Sequence, residues 1–415
     1  MLFTFVTHQD MRNFASPLVA ACLSLPAIAG VEEPPKTNSS LPIAEGLLTE
    51  NPYNLNGVVY SDDSRGSGVV AGHRNLFLTA AHVLFDDEAG TWSGAPMWFN
   101  GVNSEDAPSE AAGIQARGYF RWVSYAHQVE LTGNNSRASF SRDAALAWSF
   151  DPFTELEPAV IDFKGAVNLR NGVPSMITGY PALIDYTGNE GNYYLHTTLE
   201  EATKFKSEQG NYLYATHIST GPGNSGGPVW VRDDEGGWKA GALLVSGRPS
   251  EAGLYAFTSE IKSLFKSAAP VLGENPRSLK SNSKVSASSH FASLSKPKTI
   301  PDGRHKWTRI PLKVGNFPEG SSISFVRLNL TITTAHRGDL IVRLVGPNGT
   351  SALLHDSEDA GADDLVIDDM DLSTDFAGPG EEGSPISGKW QLWVQDRLTG
   401  DVATVTRFQL EVGID

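Results

Sequence analysis

The chain has 415 residues, of which 40% are hydrophobic and 19% are charged, and its formal net charge is −16. This length allows two domains with separate cores, and the composition is that of a globular protein. The acidic charge argues against a nucleic-acid partner, because two polyanions repel each other. Cys22 is the single cysteine, so we expect no disulfide within the fold.

The first thirty residues have the pattern of an export signal. Met11-Arg12-Asn13 supplies a positive start, Phe14 to Pro26 an apolar stretch, and Ala27-Ile28-Ala29 a small-residue cleavage site. We therefore predict a signal peptide over 1–29 and a secreted protein, extracellular or periplasmic, with no membrane attachment after cleavage. A membrane anchor is disfavoured because the apolar run is short. An alternative is lipidation at Cys22, since Val19-Ala20-Ala21-Cys22 resembles a bacterial lipobox.

Shifts in composition divide the remaining chain. Val31 to Ser40 is rich in Pro, Glu and Ser, and residues 30–50 are predicted to be a pro-segment or disordered. From 51 to 269, short apolar runs separated by Gly, Asn, Asp and Pro predict an all-β domain. A helix is predicted at Thr258 to Ser267, where apolar residues recur at helical spacing. Residues 270–299 are crowded with serine and are predicted to be a linker.

Beyond residue 300 the sequence alternates cleanly between apolar and polar residues. Val326, Leu328, Leu330 and Ile332 fall on one face of an extended segment. The same alternation recurs in three further sets: Leu340, Val342 and Leu344; Trp390, Leu392 and Val394; and Phe408, Leu410 and Val412. A period of two predicts half-buried strands, so we expect residues 300–415 to form a β-sandwich.

Three segments carry candidate chemistry. His82 ends Thr79-Ala80-Ala81-His82, Asp143 precedes an apolar run, and Ser225 lies in the glycine-rich stretch Gly221 to Val229. A serine hydroxyl becomes a nucleophile only when a neighbouring base removes its proton. Histidine is the usual base, and an aspartate can fix its tautomer and stabilise the imidazolium. Plainer readings are a turn serine, a packed histidine and an aspartate that merely precedes a strand, with Asp151 as a competitor for the third role.

These segments resemble the motifs of chymotrypsin-fold serine proteases, whose triad also runs His, Asp, Ser along the chain. Thr79 to His82 and Gly223 to Pro228 are near-literal matches. The resemblance implies a double β-barrel and a serine endopeptidase with Ser225 as nucleophile, His82 as base and Asp143 as its orienting group. It also implies an oxyanion hole formed by the backbone N–H groups of Gly223 and Ser225.

The resemblance further implies a substrate pocket. Ser219 would form its base, and Ser246 and Gly247 would lie along the substrate backbone. Its other expected members are Thr220, Gly253 and Tyr255. Because Ser219 is neutral, a preference for Arg or Lys is not supported, and an apolar or mixed preference is favoured.

Two neighbouring positions bear on specificity and activation. Arg248 could neutralise an acidic substrate side chain, or it could be a solvated loop charge. Glutamyl endopeptidases use a histidine where this chain has Val245. Asn224 replaces the aspartate that animal members pair with a new N-terminus, so we do not expect activation by that salt bridge.

The C-terminal region resembles the P-domain of proprotein convertases. The resemblance rests on His336 to Leu344, Pro347 to Thr350, Gly388 to Asp396 and Gly400-Asp401, and it implies a jelly-roll β-sandwich. We predict no required cofactor and no catalytic metal, since no metal-ligand motif is present. The carboxylates between His355 and Asp375 are interpreted as a solvated acidic loop, with a structural calcium site as the alternative.

Together these observations predict an all-β, secreted, monomeric serine endopeptidase that acts on proteins or peptides. The alternative from another class is a catalytically silent secreted protein that keeps the protease fold for binding or adhesion. Intact His82, Asp143 and Ser225 favour the enzyme.

Overall fold

The computed structural model describes residues 38–61, 64–94, 96–182, 193–248, 250–272, 285–303, 306–315, 317, 321–357, 363–376 and 386–414. The predicted signal peptide and Cys22 lie outside the described residues, as do residues 273–284 of the predicted linker. Residues 37–415 form one compact unit. In the part of the chain that the structure describes, no helix is long and apolar enough to cross a membrane.

The first part of the chain forms short strands, because its β-branched and aromatic runs are cut by turn-forming residues. Its strands are β1 (Asn38–Ser39), β2 (Leu41–Pro42), β3 (Asn56–Ser61), β4 (Ser64–Val70), β5 (Leu76–Thr79), β6 (Phe85–Asp86), β7 (Thr91–Trp92), β8 (Met97–Asn100), β9 (Ile114–Gln115), β10 (Gly118–Trp122), β11 (Ala145–Trp148), β12 (Ser175–Gly179), β13 (His196–Thr197), β14 (Lys206–Gln209), β15 (Tyr212–Thr216), β16 (Ile218–Ser219), β17 (Pro228–Arg232), β18 (Trp238–Arg248) and β19 (Glu251–Ala256).

Helices in this part are few and short. They are α1 (Ala81–Leu84), α2 (Val123–Thr132), α3 (Arg137–Phe140), α4 (Gly165–Asn171) and α5 (Lys262–Ala268), with 3₁₀ turns at Glu45–Leu47, Tyr53–Leu55, Glu110–Ala112 and Ser259–Ile261. The helix predicted at Thr258 to Ser267 is therefore present as a 3₁₀ turn followed by α5. Ile261 and Leu264 from this segment are fully buried, as their helical spacing predicts.

The remaining strands are β20 (Val285–Ala287), β21 (Ser289–Ser293), β22 (Lys298–Thr299), β23 (Thr308–Val314), β24 (Ile323–Thr333), β25 (Leu340–Val345), β26 (Ser351–Asp356), β27 (Leu365–Asp371), β28 (Gly388–Asp396) and β29 (Thr404–Ile414). A 3₁₀ turn spans Arg337–Asp339, and α6 spans Ser373–Phe376.

Within the described ranges, β2 to β5 and β8 to β20 form two eight-stranded sheets, apart from β16. Their orders are β20-β10-β11-β5-β4-β3-β8-β9 and β14-β15-β19-β18-β17-β12-β13-β2. Strands β5 and β11 are antiparallel neighbours, with Thr79 opposite Ala145. This register matters for function, because it sets the ends of the two strands side by side.

The core of the first sheet contains large aromatic side chains. Trp98 is fully buried and stacks on Phe77 with ring centroids 4.8 Å apart. Gly57 makes this packing possible, since a Cβ there would lie 2.4 Å from the Trp98 ring. The sheet thus curves over an interior that is filled by side chains, as in small β-barrels.

The C-terminal strands form two facing sheets with a common core. In the described residues, one sheet has the order β21-β29-β24-β27, with β22 also paired to β29, and the other has the order β23-β28-β25-β26. All the residues that the alternation placed on inner faces, from Val326 to Ile332, Leu340 to Leu344, Trp390 to Val394 and Phe408 to Val412, are fully buried. The predicted β-sandwich and the all-β fold class are confirmed.

The predicted linker contains paired strands in its described part. Strand β20 pairs with β10 of the first eight-stranded sheet, and β21 pairs with β29 of the sandwich. Residues 285–293 therefore add an edge strand to two different sheets, with Ser288 between them. The alternation of apolar and polar residues in this segment is too short to predict strands. The segment forms strands because it pairs with neighbouring sheets. Residues 38–42, within the predicted pro-segment, likewise pair with β16 and β13.

Candidate active site

His82 and Asp143 meet because their segments continue neighbouring strands. His82 lies in α1, just after β5, and Asp143 lies just before β11. The His82 Nδ1 is 2.6 Å from Oδ2 of Asp143, and Oδ1 of the same carboxylate accepts the His82 backbone N–H at 3.0 Å. The Asp143 side chain is 1% exposed and that of His82 is 28% exposed. The carboxylate thus fixes the ring so that Nδ1 carries a proton and Nε2 can accept one.

Electrostatics around His82 favour its charged form. Burial by itself would lower its pKa, but the charge of Asp143 and its hydrogen bond raise it. The charge of Asp87 acts in the same direction, and the net result is a raised pKa. A histidine held this way can take a proton and keep it through a reaction step.

Ser225 lies in the loop that enters β17 and lines the same cleft as His82. The cleft has a volume of about 970 Å³ and takes residues from both eight-stranded sheets. The loop needs glycine at two positions. Gly223 has φ +87° and Gly226 has φ +82°, and a Cβ at Gly223 would lie 2.5 Å from the Tyr180 carbonyl oxygen. Both glycines therefore serve the tight backbone path around the serine.

The backbone amides of this loop are only partly paired within the protein. The Asn224 N–H bonds to Gly221 and the Gly226 N–H to Leu244. The N–H groups of Gly223 and Ser225 have no hydrogen-bond partner within the described ranges. Two free donors beside a serine hydroxyl have the composition of an oxyanion hole.

Ser67, in β4, hydrogen-bonds to the loop that carries Ser225, and sequence reasoning missed it. Its backbone N–H donates to the Ser225 carbonyl at 2.7 Å. Its Oγ donates to the Gly223 carbonyl at 2.7 Å and accepts the Tyr180 N–H at 2.8 Å. Ser67 is 1% exposed. An isolated serine on an ordinary strand gives no local signal, because Tyr180, Gly223 and Ser225 are more than 100 positions away from it along the chain.

The residues predicted for the substrate pocket separate into two groups. Ser246 and Gly247 line the cleft with Ser225. Gly253 lies behind Ser246 as its strand partner in β19, whereas Tyr255 is fully buried. Ser219 and Thr220 are 9% and 1% exposed. Gly247 lies against Thr220, since a Cβ at Gly247 would be 2.5 Å from the threonine Oγ1.

Other side chains complete the cleft. Arg248 and Val245, which the sequence had already drawn attention to, both line the cleft. The lining residues that the sequence did not single out include Asp86, Asp87, Glu88, Arg137, Phe140, Tyr212 and Glu251. Asp151 is exposed and does not line the cleft in the described part of the chain. Asn224 is 2% exposed, and its side-chain amide has no hydrogen-bond partner among the described residues.

The acidic run of the C-terminal region is partly described. Glu358 and Asp359 lie outside the described residues. Among the residues that are described, no group of three or more His, Cys, Asp or Glu side chains is placed to hold a metal ion. The calcium site stays a prediction.

Comparisons with known families match both parts of the chain. Residues 66–237 match the trypsin-like peptidase domain, and residues 323–412 match the proprotein convertase P-domain. The two resemblances predicted from the motifs are thereby confirmed.

One curated relative and two solved structures give the range of similarity. The transglutaminase-activating metalloprotease of Streptomyces mobaraensis is 33% identical over 93 residues, which are 22% of this chain and 11% of that relative's length. A Glu endopeptidase in complex with MPD is 18% identical with a TM-score of 0.44, covering 56% of this chain and 96% of the other. The thermostable serine protease AL20 from an extremophilic microorganism is 19% identical with a TM-score of 0.39, covering 51% and 95%.

Proposed function

We propose that this chain, a trypsin-like peptidase domain followed by a P-domain, is a secreted serine endopeptidase that cleaves proteins or peptides through a covalent acyl-enzyme. The observation that carries the proposal is the pairing of His82 with buried Asp143 at 2.6 Å in the cleft that Ser225 also lines. An imidazole oriented by a carboxylate, in a cleft that also holds a serine, provides the components that serine proteases use for acyl transfer.

In the proposed reaction, His82 Nε2 takes the proton of the Ser225 hydroxyl while Oγ attacks the substrate carbonyl carbon. The imidazolium then gives that proton to the departing amine nitrogen as the C–N bond breaks. Water repeats the sequence on the acyl-enzyme, releasing the acid product and restoring the serine. Asp143 takes no proton in these steps, and its carboxylate stabilises the imidazolium.

The free N–H groups of Gly223 and Ser225 are the proposed oxyanion hole. Donors aimed at a developing oxyanion typically contribute about 3–4 kcal/mol each to transition-state stabilisation. Among the described residues neither amide has another partner to compete for it. They can therefore bind the tetrahedral intermediate without first breaking a bond inside the protein.

Covalent labelling tests this function directly. A fluorophosphonate probe should label the wild-type protein at Ser225, and the Ser225→Ala variant should not be labelled. Hydrolysis of a peptide library should be lost in both Ser225→Ala and His82→Ala. A folded wild-type protein that neither reacts nor hydrolyses any peptide would instead support the silent binding protein.

Secretion and assembly need separate measurements. N-terminal sequencing of protein recovered from outside the cytoplasm should begin at Gly30, after the predicted cleavage site. A lipid-modified Cys22 would contradict that site. Light scattering of the mature protein should give the mass of a monomer.

A further inference from the structure

Asp87 lines the same cleft as His82, and one of its carboxylate oxygens has no hydrogen-bond partner among the described residues. It follows β6, lines the active-site cleft, and its Oδ2 accepts a hydrogen bond from the Tyr125 hydroxyl at 3.0 Å. Its Oδ1 is buried and has no hydrogen-bond partner within the described ranges. The turn itself is closed by Asp86, whose carboxylate accepts the N–H groups of Glu88 and Ala89. Asp87 is therefore not needed to hold the turn.

The surroundings of Asp87 keep its charge effective. Tyr125 in α2 is fully buried. Arg121 in β10 is 7% exposed, and its guanidinium lies 3.9 Å from the ring centroid of Phe85 while donating to the carbonyl of Trp122. A charge enclosed by such groups is screened less by solvent than a surface charge.

The charged groups around the pair are identifiable. His82 is acted on by Asp143 and Asp87, and both charges raise its pKa. Burial raises the pKa of Asp87, and Asp143 adds to this. The Tyr125 hydrogen bond, His82 and Arg121 act in the opposite direction, but the net shift is upward. Asp87 and His82 are thus coupled electrostatically as well as sharing one cleft.

We propose that Asp87 is a positioning residue for His82: its carboxylate, held by Tyr125, is a second negative charge that stabilises the imidazolium beside Asp143. This inference rests on the proposed role of His82 as the catalytic base. Asp87 forms and breaks no covalent bond. The proton still moves from Ser225 Oγ to His82 Nε2 and then to the leaving nitrogen, and Asp87 stabilises the cation present between the two transfers.

The decisive variant is Asp87→Asn, which keeps the shape and can keep the Tyr125 hydrogen bond while removing the charge. Its matched control is Glu88→Gln, which removes one charge from the exposed neighbour in the same turn. Asp87→Ser is a second variant that removes the charge with a smaller side chain. The folded state of each is checked by circular dichroism and thermal melting.

Two readouts separate this role from a structural one. NMR titration of the His82 ring in the Ser225→Ala background should show a lower pKa in Asp87→Asn and an unchanged pKa in Glu88→Gln. In the active background, the acid limb of the kcat/KM profile should move to lower pH in Asp87→Asn. We also expect kcat/KM on the alkaline plateau to fall about tenfold, or about 1.4 kcal/mol of transition-state stabilisation.

The two proposals fail in different ways. An unchanged His82 pKa in Asp87→Asn overturns the positioning role, even if the enzyme is active. A lowered pKa in a protein that hydrolyses nothing upholds the electrostatic coupling and overturns the proposed function. If Asp87→Asn is misfolded, an unchanged His82 pKa in folded Asp87→Ser counts against the proposal in its place, and a lowered His82 pKa there supports it.

Discussion

Arg117 of the peptidase domain and Asp369 of the P-domain form a bidentate ion pair. Nη1 of Arg117 donates to Oδ2 of Asp369 at 3.0 Å, and Nη2 donates to the other carboxylate oxygen. Nε of the same arginine lies 3.7 Å from Oε2 of Glu411, whose side chain is 3% exposed. The Arg117 guanidinium therefore faces two carboxylates, and that of Glu411 is buried.

The stability of this interface should depend on pH through Glu411. Burial raises the Glu411 pKa from 4.5 to about 7, although Arg117 and Ser289 oppose the shift. The folded protein then keeps a proton that the unfolded chain releases, so stability is lost as pH rises through the window from 4.5 to about 7. The full loss is about 3 kcal/mol.

Glu411→Gln cannot ionise, so it should melt at a higher temperature than wild type at about pH 8 and approach it at about pH 5. Asp368→Asn is the control, since Asp368 has a 73% exposed side chain and pairs only with Arg407 at 3.3 Å among the described residues. A melting temperature for Glu411→Gln that tracks wild type at every pH would contradict the assigned cause.

Phe291 should contribute to the joint between the two parts through packing. It comes from β21, yet its ring lies 5.9 Å from Trp148 and 5.4 Å from Phe150. Phe291→Ala should lower the free energy of unfolding by about 3–4 kcal/mol, because a buried ring is replaced by a cavity. Urea unfolding measures this. Phe163→Ala, at a 39% exposed position, should cost much less, and equal losses would refute the packing role.

Asp143→Asn should abolish most of the activity with little change in fold. An amide cannot stabilise the imidazolium and favours the wrong tautomer of His82, which in a triad of this kind costs roughly 10⁴-fold in kcat. Steady-state kinetics on a peptide substrate give the loss. Asp151→Asn should retain wild-type kinetics, and the reverse pattern would show that the competitor is the orienting group.

Ser67→Ala should impair catalysis without touching the substrate. It removes the bond to the Gly223 carbonyl and leaves the Tyr180 N–H unpaired, so the N–H groups proposed to bind the oxyanion lose part of their support. We expect kcat to fall about 10- to 100-fold with a smaller change in KM. Thr154→Ala, another buried hydroxyl, serves as the control. A pure KM effect would argue against positioning of the loop.

The parts that sequence reasoning could predict are those with a local signal. Strict alternation identifies the buried faces of β24, β25, β28 and β29, because half-buried strands impose a period of two. The motif around His82 and the glycines around Ser225 identify a candidate site because these residue combinations are rare outside sites that perform this chemistry.

The features that it could not predict depend on contacts distant in sequence. Ser67 and Asp87 are ordinary polar residues until the fold sets them beside Gly223 and His82. Strands β20 and β21 have no periodic pattern of their own, and they are strands because the edges of two sheets lie within reach. Such residues become visible only when the partner surfaces are known.

The segment 285–293 has a consequence for how the molecule tolerates damage. A single backbone cleavage there would release an edge strand from the first eight-stranded sheet and another from the sandwich at the same time. Each of the two sheets would then have an exposed edge with unpaired amide and carbonyl groups, and such edges tend to pair with strands from other molecules. Proteolytic cleavage in this segment is therefore expected to cause aggregation rather than the release of two soluble domains.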